Sequence, residues 1–415
     1  MNHEGFAFGV RNVRVWQDAT VLGVPGFTAP ERVSWDRGNF LTPVFGDTRA
    51  PEAAREAREI DGTGLWLVPG LVDAHLHAGW QAFSEEDRER MGQERTGELI
   101  SRGLARTLAS GFTSVRDAGG LSRDAVSVLA QGERPRLQLA GSLIDRAAAD
   151  RAGGLEFAVA EVLEHGAQWV KLVATAGVAS PAGAGLEPHF SRAEMRRATE
   201  LAAGAGAGVM VHAWGGSAID HAIEATELLG ADDGLAPFSL EHGIFLTEEQ
   251  ARRAAKVGLT FVPTLRIYSL VQAMIASGEL PASFEPRVRE VVAAHTQAVR
   301  IARDAGLSIA LGSDYGTPEQ HGTGRLEFDA LVAAGLTPAE ALVAATRGGA
   351  ALMACVDPDQ NRALAGRVTP GAPADAVLFT RDPREPGAFS APGAIAAVIL
   401  AGRVVAPASF ERNPS

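Results

Sequence analysis

Short apolar runs recur through the middle of the chain, each followed by a longer stretch of helical periodicity. The runs are Leu71–Ala74, Thr113–Arg116, Leu137–Ala140, Trp169–Ala174, Val209–His212, Phe238–Glu241, Leu259–Pro263 and Ser308–Gly312. Most show no polar alternation, as expected of parallel strands buried on both faces. Ser191-Arg192-Ala193-Glu194, Thr247-Glu248-Glu249-Gln250 and Thr337-Pro338-Ala339-Glu340 read as capping boxes that open helices, the third with proline at the first helical position. Gly258 and Gly306 sit where C-caps belong. Eight strands separated by helices fit an α/β fold, a (β/α)₈ TIM-type barrel of the usual ~250 residues. An open doubly wound sheet has the same periodicity and stands as the alternative.

The flanks read differently. Val10–Val15 alternates in part and Leu65–Val68 is a short apolar run, with a long irregular stretch through Ala57 between them. Ala376–Phe379, Ala394–Ala401 and Arg403–Val405 predict short strands, and Gly371-Ala372-Pro373-Ala374-Asp375 a turn. These pieces form either two separate strand-rich tails or one small β-domain built from both ends of the chain. Asn39–Arg58 reads as a surface excursion of unassigned role.

Composition narrows the picture. With 415 residues, 46% apolar and 21% charged, the chain can bury one large core and a smaller one. A net charge of −12 and no Lys/Arg block argue against a nucleic-acid partner. The single cysteine, Cys355, excludes an intrachain disulfide and a cysteine-based zinc site. Its setting in Ala351-Leu352-Met353-Ala354-Cys355 predicts a small core residue. Met1–Arg11 has no apolar segment of the secretory kind, and no run suits a membrane span. A cytoplasmic protein without a membrane partner is the expectation.

Candidate chemistry gathers at the ends of the apolar runs. His75 and His77 lie two apart at the end of the first, so both imidazoles can converge on one ion. Two surface histidines at a loop start is the competing reading. His212 and His242 end or follow two further runs, and either alone would read as a hydrogen-bonded core histidine. Asp314, just past the last strand, suits a metal ligand and proton acceptor, or a helix N-cap. A barrel places its chemistry at strand C-termini, which favours the ligand readings taken together. Lys171 is flanked by apolar residues. A desolvated lysine becomes a neutral amine, able to form a carbamate with carbon dioxide; a salt bridge to a carboxylate such as Asp117 remains open. His3, His165, His221 and His295 read as solvated or structural.

In this order the motifs resemble the amidohydrolase superfamily, and more narrowly its imidazolonepropionase-like branch with Xaa-Pro and other dipeptidases. The matching pieces are Val68-Pro69-Gly70-Leu71-Val72-Asp73-Ala74-His75-Leu76-His77, Thr113–Gly120, Val170-Lys171-Leu172 with Ala176–Ser180, His212, Leu240-Glu241-His242-Gly243, Val262-Pro263-Thr264-Leu265 and Gly312-Ser313-Asp314. The resemblance covers about residues 60–405. It implies a barrel over residues 69–363 and a β-sandwich from residues 1–68 plus 364–415. It also implies two divalent metal ions, zinc first with iron or manganese as alternatives. His75, His77 and Asp314 would bind one, His212 and His242 the other, and carboxylated Lys171 would bridge them. Ser313-Asp314-Tyr315-Gly316 departs from the family's Thr-Asp-Ala-Gly, and bulky Tyr315 would project near the site. Gly183–His189 also departs.

A metal lowers the pKa of water towards about 7. The expected reaction is attack of a metal-bound hydroxide on an amide-type C–N substrate, a dipeptide or N-acyl amino acid, with Asp314 as proton shuttle. A cyclic amide hydrolase or deaminase, and a catalytically silent metal-binding scaffold, are the alternatives. The partner is a small-molecule substrate, with a homo-oligomer allowed. Arg266 and Tyr268, read as a loop after the seventh strand, are substrate contacts or helix packing. Tyr315 and His321 are further candidate substrate contacts, and His189 could line a pocket.

Overall fold

The computed structural model describes residues 8–18, 25–41, 58–82, 85–127, 129, 133–178, 185–229, 235–357 and 364–406. All eight apolar runs are strands: Leu71–Leu76, Phe112–Asp117, Arg136–Leu139, Trp169–Val173, Gly208–Ala213, Phe238–His242, Thr260–Val262 and Ser308–Ile309. The first three pair in parallel as one sheet. The other five, joined by Leu143–Ile144, form a six-stranded parallel sheet. Backbone hydrogen bonds also link the edges, from Ala74 N–H to the Leu311 carbonyl and from Gln168 N–H to the Leu139 carbonyl, each 2.8 Å. Because neighbouring strands are parallel, the residues that follow each one gather at the same end.

Local signals set the helices. Arg192–Gly204, Glu248–Lys256 and Pro338–Val343 each open on a complete capping box, with Ser191, Thr247 and Thr337 at the N-cap. Gly258 and Gly306 are left-handed, with φ of 72° and 70°. No helix among the described residues is long and apolar enough to cross a membrane.

The two ends of the chain share one sheet. Trp66–Pro69 runs between Phe8–Gln17 on one side and Ala376–Phe379 on the other, and Ile395–Leu400 and Arg403–Ala406 extend it. The stretch expected to be irregular holds the strand Glu31–Asp36 and the short strands Gly26–Phe27 and Asn39–Phe40, and the short strand Arg58–Asp61 follows just past it. Glu31-Arg32-Val33-Ser34-Trp35-Asp36 alternates polar and apolar residues, and Val33 and Trp35 are buried. That period of two marks a half-buried strand. Most of the supposed excursion, residues 42–57, lies outside the described residues.

Two contacts lock this sheet. The Trp35 Nε1–H donates to the Gly402 carbonyl at 2.7 Å. Arg136, from strand Arg136–Leu139, donates two hydrogen bonds (2.8 and 3.1 Å) to Asp375 in the predicted turn. Cys355 corrects an expectation: it is exposed, because it falls at the C-cap of Gly349–Ala354 rather than on the helix's inner face.

Helix Leu265–Ser277, which carries a wall of the site, begins at Thr264, whose side chain caps nothing. Its N-terminus is capped from outside instead. Fully buried Glu327, from helix Arg325–Ala334, accepts from the Leu265 and Arg266 N–H groups at 2.6 and 2.8 Å. Burial nevertheless pushes this carboxyl up from its ordinary 4.5 to about 8.

Two tests follow from these contacts. Trp35→Ala is expected to lower unfolding stability by about 3–5 kcal/mol in urea denaturation, as for a buried tryptophan in a single core. Loss of under about 1 kcal/mol would mean that the terminal strands pack independently. The Glu327 carboxyl holds its proton more tightly folded than unfolded, so folding takes up a proton between about pH 4.5 and 8. Its contribution is full below about pH 4.5 and is lost as pH climbs towards 8. Glu327→Gln is therefore expected to gain on the wild type from about pH 5 to about pH 8 in denaturation midpoints. A constant difference would contradict this origin.

Candidate metal centre

Four imidazoles and one carboxylate meet at the shared end of the strands. His75 Nε2 lies 3.3 Å and His77 Nε2 3.2 Å from Asp314 Oδ1. Ring centroids of His75 and His242 are 5.2 Å apart, and those of His212 and His242 4.5 Å. His75, His242 and Asp314 each present a ligand atom within 4.8 Å of the others'. Lys171 Nζ lies 3.3 Å from His75 Nε2 and makes no ion pair among the described residues. Asp117, its alternative partner, instead accepts from the Ala78, Gly119 and Leu121 N–H groups.

Each ring has one nitrogen tied back and the other left for the centre. Nδ1 of His75 is 2.5 Å from Glu241 Oε2, that of His77 is 2.9 Å from the Gly119 carbonyl, and that of His242 is 2.8 Å from Thr264 Oγ1. Such outer partners orient the rings, and with Nδ1 engaged Nε2 is left as the donor atom. His212 bonds the Ala176 backbone, while its Nε2 is buried without a partner. Gly177 makes room for this ring: a Cβ there would come within 2.9 Å of His212 Cε1. Burial lowers the pKa of His77, of His242 and, to about 3, of His212, so these rings are neutral, the form that binds a metal. At His75 burial also opposes protonation, but the Glu241 and Asp314 carboxylates outweigh it. Imidazole nitrogens, a carboxylate and an orphaned, buried Nε2 suit a divalent ion such as zinc.

The backbone is bent to aim these groups. Alternation along Phe238–His242 would send Glu241 and His242 to opposite faces. His242 has a φ of 70°, which turns its ring in beside Glu241. Thr264 and Asp314 are also left-handed, at 58° and 55°. Three such non-glycine residues at one site mark strain held by the surroundings. His295, expected to be solvated or structural, is buried and its Nε2 bonds the His242 carbonyl at 2.8 Å.

Beneath the histidines lies a polar layer that no local pattern announced. Arg116, fully buried, donates to the Ala74 carbonyl, Ser239 Oγ and Glu241 Oε1 at 2.7, 3.0 and 3.0 Å. Its guanidinium stands 4.4 Å from the centroid of Trp169. Only adjacency to His242 in the sequence hinted at Glu241.

A cavity of about 280 Å³ opens over the centre. His75, His77, Lys171, His212, His242 and Asp314 floor it, and Tyr268 with apolar Trp80, Val178, Ile267 and Val271 walls it. Arg266, Tyr315 and His321 do not line it. The expected loop after the seventh strand is the first turn of helix Leu265–Ser277, and residues two apart on a helix do not share a face. Arg266 Nη1 lies instead 3.4 Å from the hydroxyl of Tyr315, which is buried among Trp214, Ile267 and Tyr268. His321 is buried against Gln81. His189 bonds the Val173 carbonyl, and Ala179, Ser180 and residues 183–184 lie outside the described residues.

Known proteins share this arrangement of the chain. An uncharacterized protein of Mycobacterium tuberculosis is 31% identical over 356 residues, covering 83% of this chain and 86% of that one. The imidazolonepropionase of Symbiobacterium thermophilum is 28% identical over 407 residues, covering 86% and 85%. A prolidase crystallised with N-methylphosphonate-L-proline superposes with a TM-score of 0.82 at 24% identity, covering 96% of this chain and 99% of its own. The family model for amidohydrolases matches residues 66–405. The chain belongs to the amidohydrolase family, whose members share a TIM-type barrel, and it is a hydrolase of carbon–nitrogen bonds.

Proposed function

We propose that the chain hydrolyses the amide bond of a dipeptide or N-acyl amino acid at the cluster of His75, His77, Lys171, His212, His242 and Asp314. The observation that carries this reading is the convergence of ring nitrogens freed by outer hydrogen bonds, around one carboxylate. His75, His77 and Asp314 would hold one divalent ion, zinc by preference, and His212 and His242 a second. Lys171, carboxylated on Nζ, would stand between them. Burial, which lowers the Lys171 amine to about 8, supports that modification by making the neutral form accessible. Divalent ions held there supply Lewis acidity and lower the pKa of water towards about 7.

The chain's own groups do the rest. Burial opposes ionisation of Asp314, but His75 and His77 hold its carboxyl well below the usual range, so it stays ionised. Asp314 takes the proton from the attacking water and returns it to the leaving nitrogen. Tyr268 accepts from Trp214 Nε1 at 3.0 Å, so its own O–H is free to donate to substrate. Arg266, Tyr315 and His321 act from behind the wall by shaping it. In this reading the two parallel sheets close as one (β/α)₈ barrel over residues 69–363. Residues 1–68 and 364–415 form a β-sandwich beside it, in a cytoplasmic enzyme. The prolidase likeness supports a peptide-like substrate. The imidazolonepropionase relative favours a second reading, opening of a cyclic amide, which product analysis separates by whether one product forms or two.

Asp314→Asn is expected to keep most of the bound metal, read by elemental analysis, and to lose about 10²–10⁴-fold in kcat on N-acyl amino acids. Turnover within tenfold of the wild type would remove Asp314 as the proton carrier. Chelation is expected to abolish hydrolysis and added zinc to restore it, with two metal ions per chain in the restored enzyme. Full activity in the stripped protein would defeat the metal reading.

A further inference from the structure

We propose that Asp145 binds the free α-amino group of a dipeptide and so sets dipeptides ahead of N-acyl amino acids, an inference that rests on the hydrolase reading for the use of the cavity. Strand Leu143–Ile144 pairs in parallel with Trp169–Val173, with Leu143 opposite Lys171. Asp145 continues that strand, since its backbone is extended at φ −94° and ψ 179°. Alternate residues of a strand share a face. The cavity over the histidines is lined by Leu143 and Asp145 but not Ile144, and by Lys171 and Val173 but not Leu172. Asp145 therefore faces the same space as Lys171, one strand step of about 6–7 Å further along.

Past Lys171 and Asp314 on the floor, Asp145 is the charged side chain that lines this cavity among the described residues. Trp80, Leu143, Val173, Val178, Ile267 and Val271 around it are apolar. One carboxylate oxygen is used locally: Oδ1 accepts from the Ala148 N–H at 2.7 Å and caps helix Arg146–Arg151. A cap needs only one oxygen, which leaves Oδ2 able to meet a cation without disturbing the helix. Half-buried Asp145 makes no ion pair among the described residues, and adjacent Arg146 is turned onto Asp150 and Glu194 instead. An α-amine is an ammonium at neutral pH and forms a charge-assisted hydrogen bond with a carboxylate. An amide carbon placed at the floor carries its α-nitrogen only two bonds away, within reach of a carboxylate one strand step above. An N-acyl amino acid offers no cation at that position and would leave the carboxylate unpaired.

The test separates binding from turnover. The phosphonic acid analogue of L-leucine and 3-methylbutylphosphonic acid contain no scissile amide and differ only in the α-amine. Both are titrated calorimetrically at pH 7 into the metal-loaded wild type, D145S and D145N. The amine-bearing probe is expected to bind the wild type at least tenfold tighter than the other. D145S, which keeps a capping oxygen but no charge, is expected to erase that preference. D145N caps as well as the wild type and keeps a neutral acceptor, so it should retain part of it. Equal affinity of the two probes for the wild type, no binding of either, or a preference that survives intact in D145S overturns the proposal. Circular dichroism checks that the variants fold. A wild type that cleaves amides yet shows no preference loses the Asp145 assignment alone. One that shows the Asp145-dependent preference yet cleaves no amide would sink the hydrolase reading alone.

Discussion

The Arg116–Glu241–His75 chain is the interaction on which the site depends. All three side chains are buried, and each charge is met by its neighbour. Ion pairs of this kind add little net stability, because desolvation offsets attraction, but losing one partner leaves a charge stranded at a cost of about 3–5 kcal/mol. The arrangement is therefore all or nothing. Glu241 pins Nδ1 of His75 so that Nε2 faces Asp314 and Lys171, and Arg116 pins Glu241. The charge balance at the cavity floor is set one layer down.

Around this pin the backbone is forced into conformations it would not choose alone. His242, Thr264 and Asp314 are left-handed at three different strand ends. Contacts from elsewhere keep them there. His295 takes the His242 carbonyl, the His75 carbonyl accepts from Asp314 N–H, and Glu327 caps the helix that follows Thr264. Gly312 allows the close approach: a Cβ there would fall 2.8 Å from that of His75. Rigid strands deliver the ligand groups, and strained junctions aim them.

Much of this was legible in the sequence, for physical reasons. Apolar runs and capping boxes are local signals, so the eight strands and three helix starts could be read directly. His75, His77, His212, His242 and Asp314 stood out because each ends a run. The supporting layer was hidden because its partners are far apart along the chain: Glu241 meets His75 across 166 positions and Arg116 across 125. Arg266 misled because its neighbourhood reads as loop or helix, and only a helix turns it away from Tyr268. Glu31–Asp36 carried a clear alternation that a long flank with few apolar residues obscured.

The sheet shared by both chain ends has a consequence for how the protein is made. Strand Trp66–Pro69 leaves the ribosome roughly 300 residues before its neighbour Ala376–Phe379, a wait on the order of 15–60 s at ordinary elongation rates. During that interval its edge, with buried-to-be Leu67 and Val68, has nothing to pair with. The nascent chain thus passes through a stage open to mispairing, and chaperone demand in a host should track elongation speed through the later half of the message.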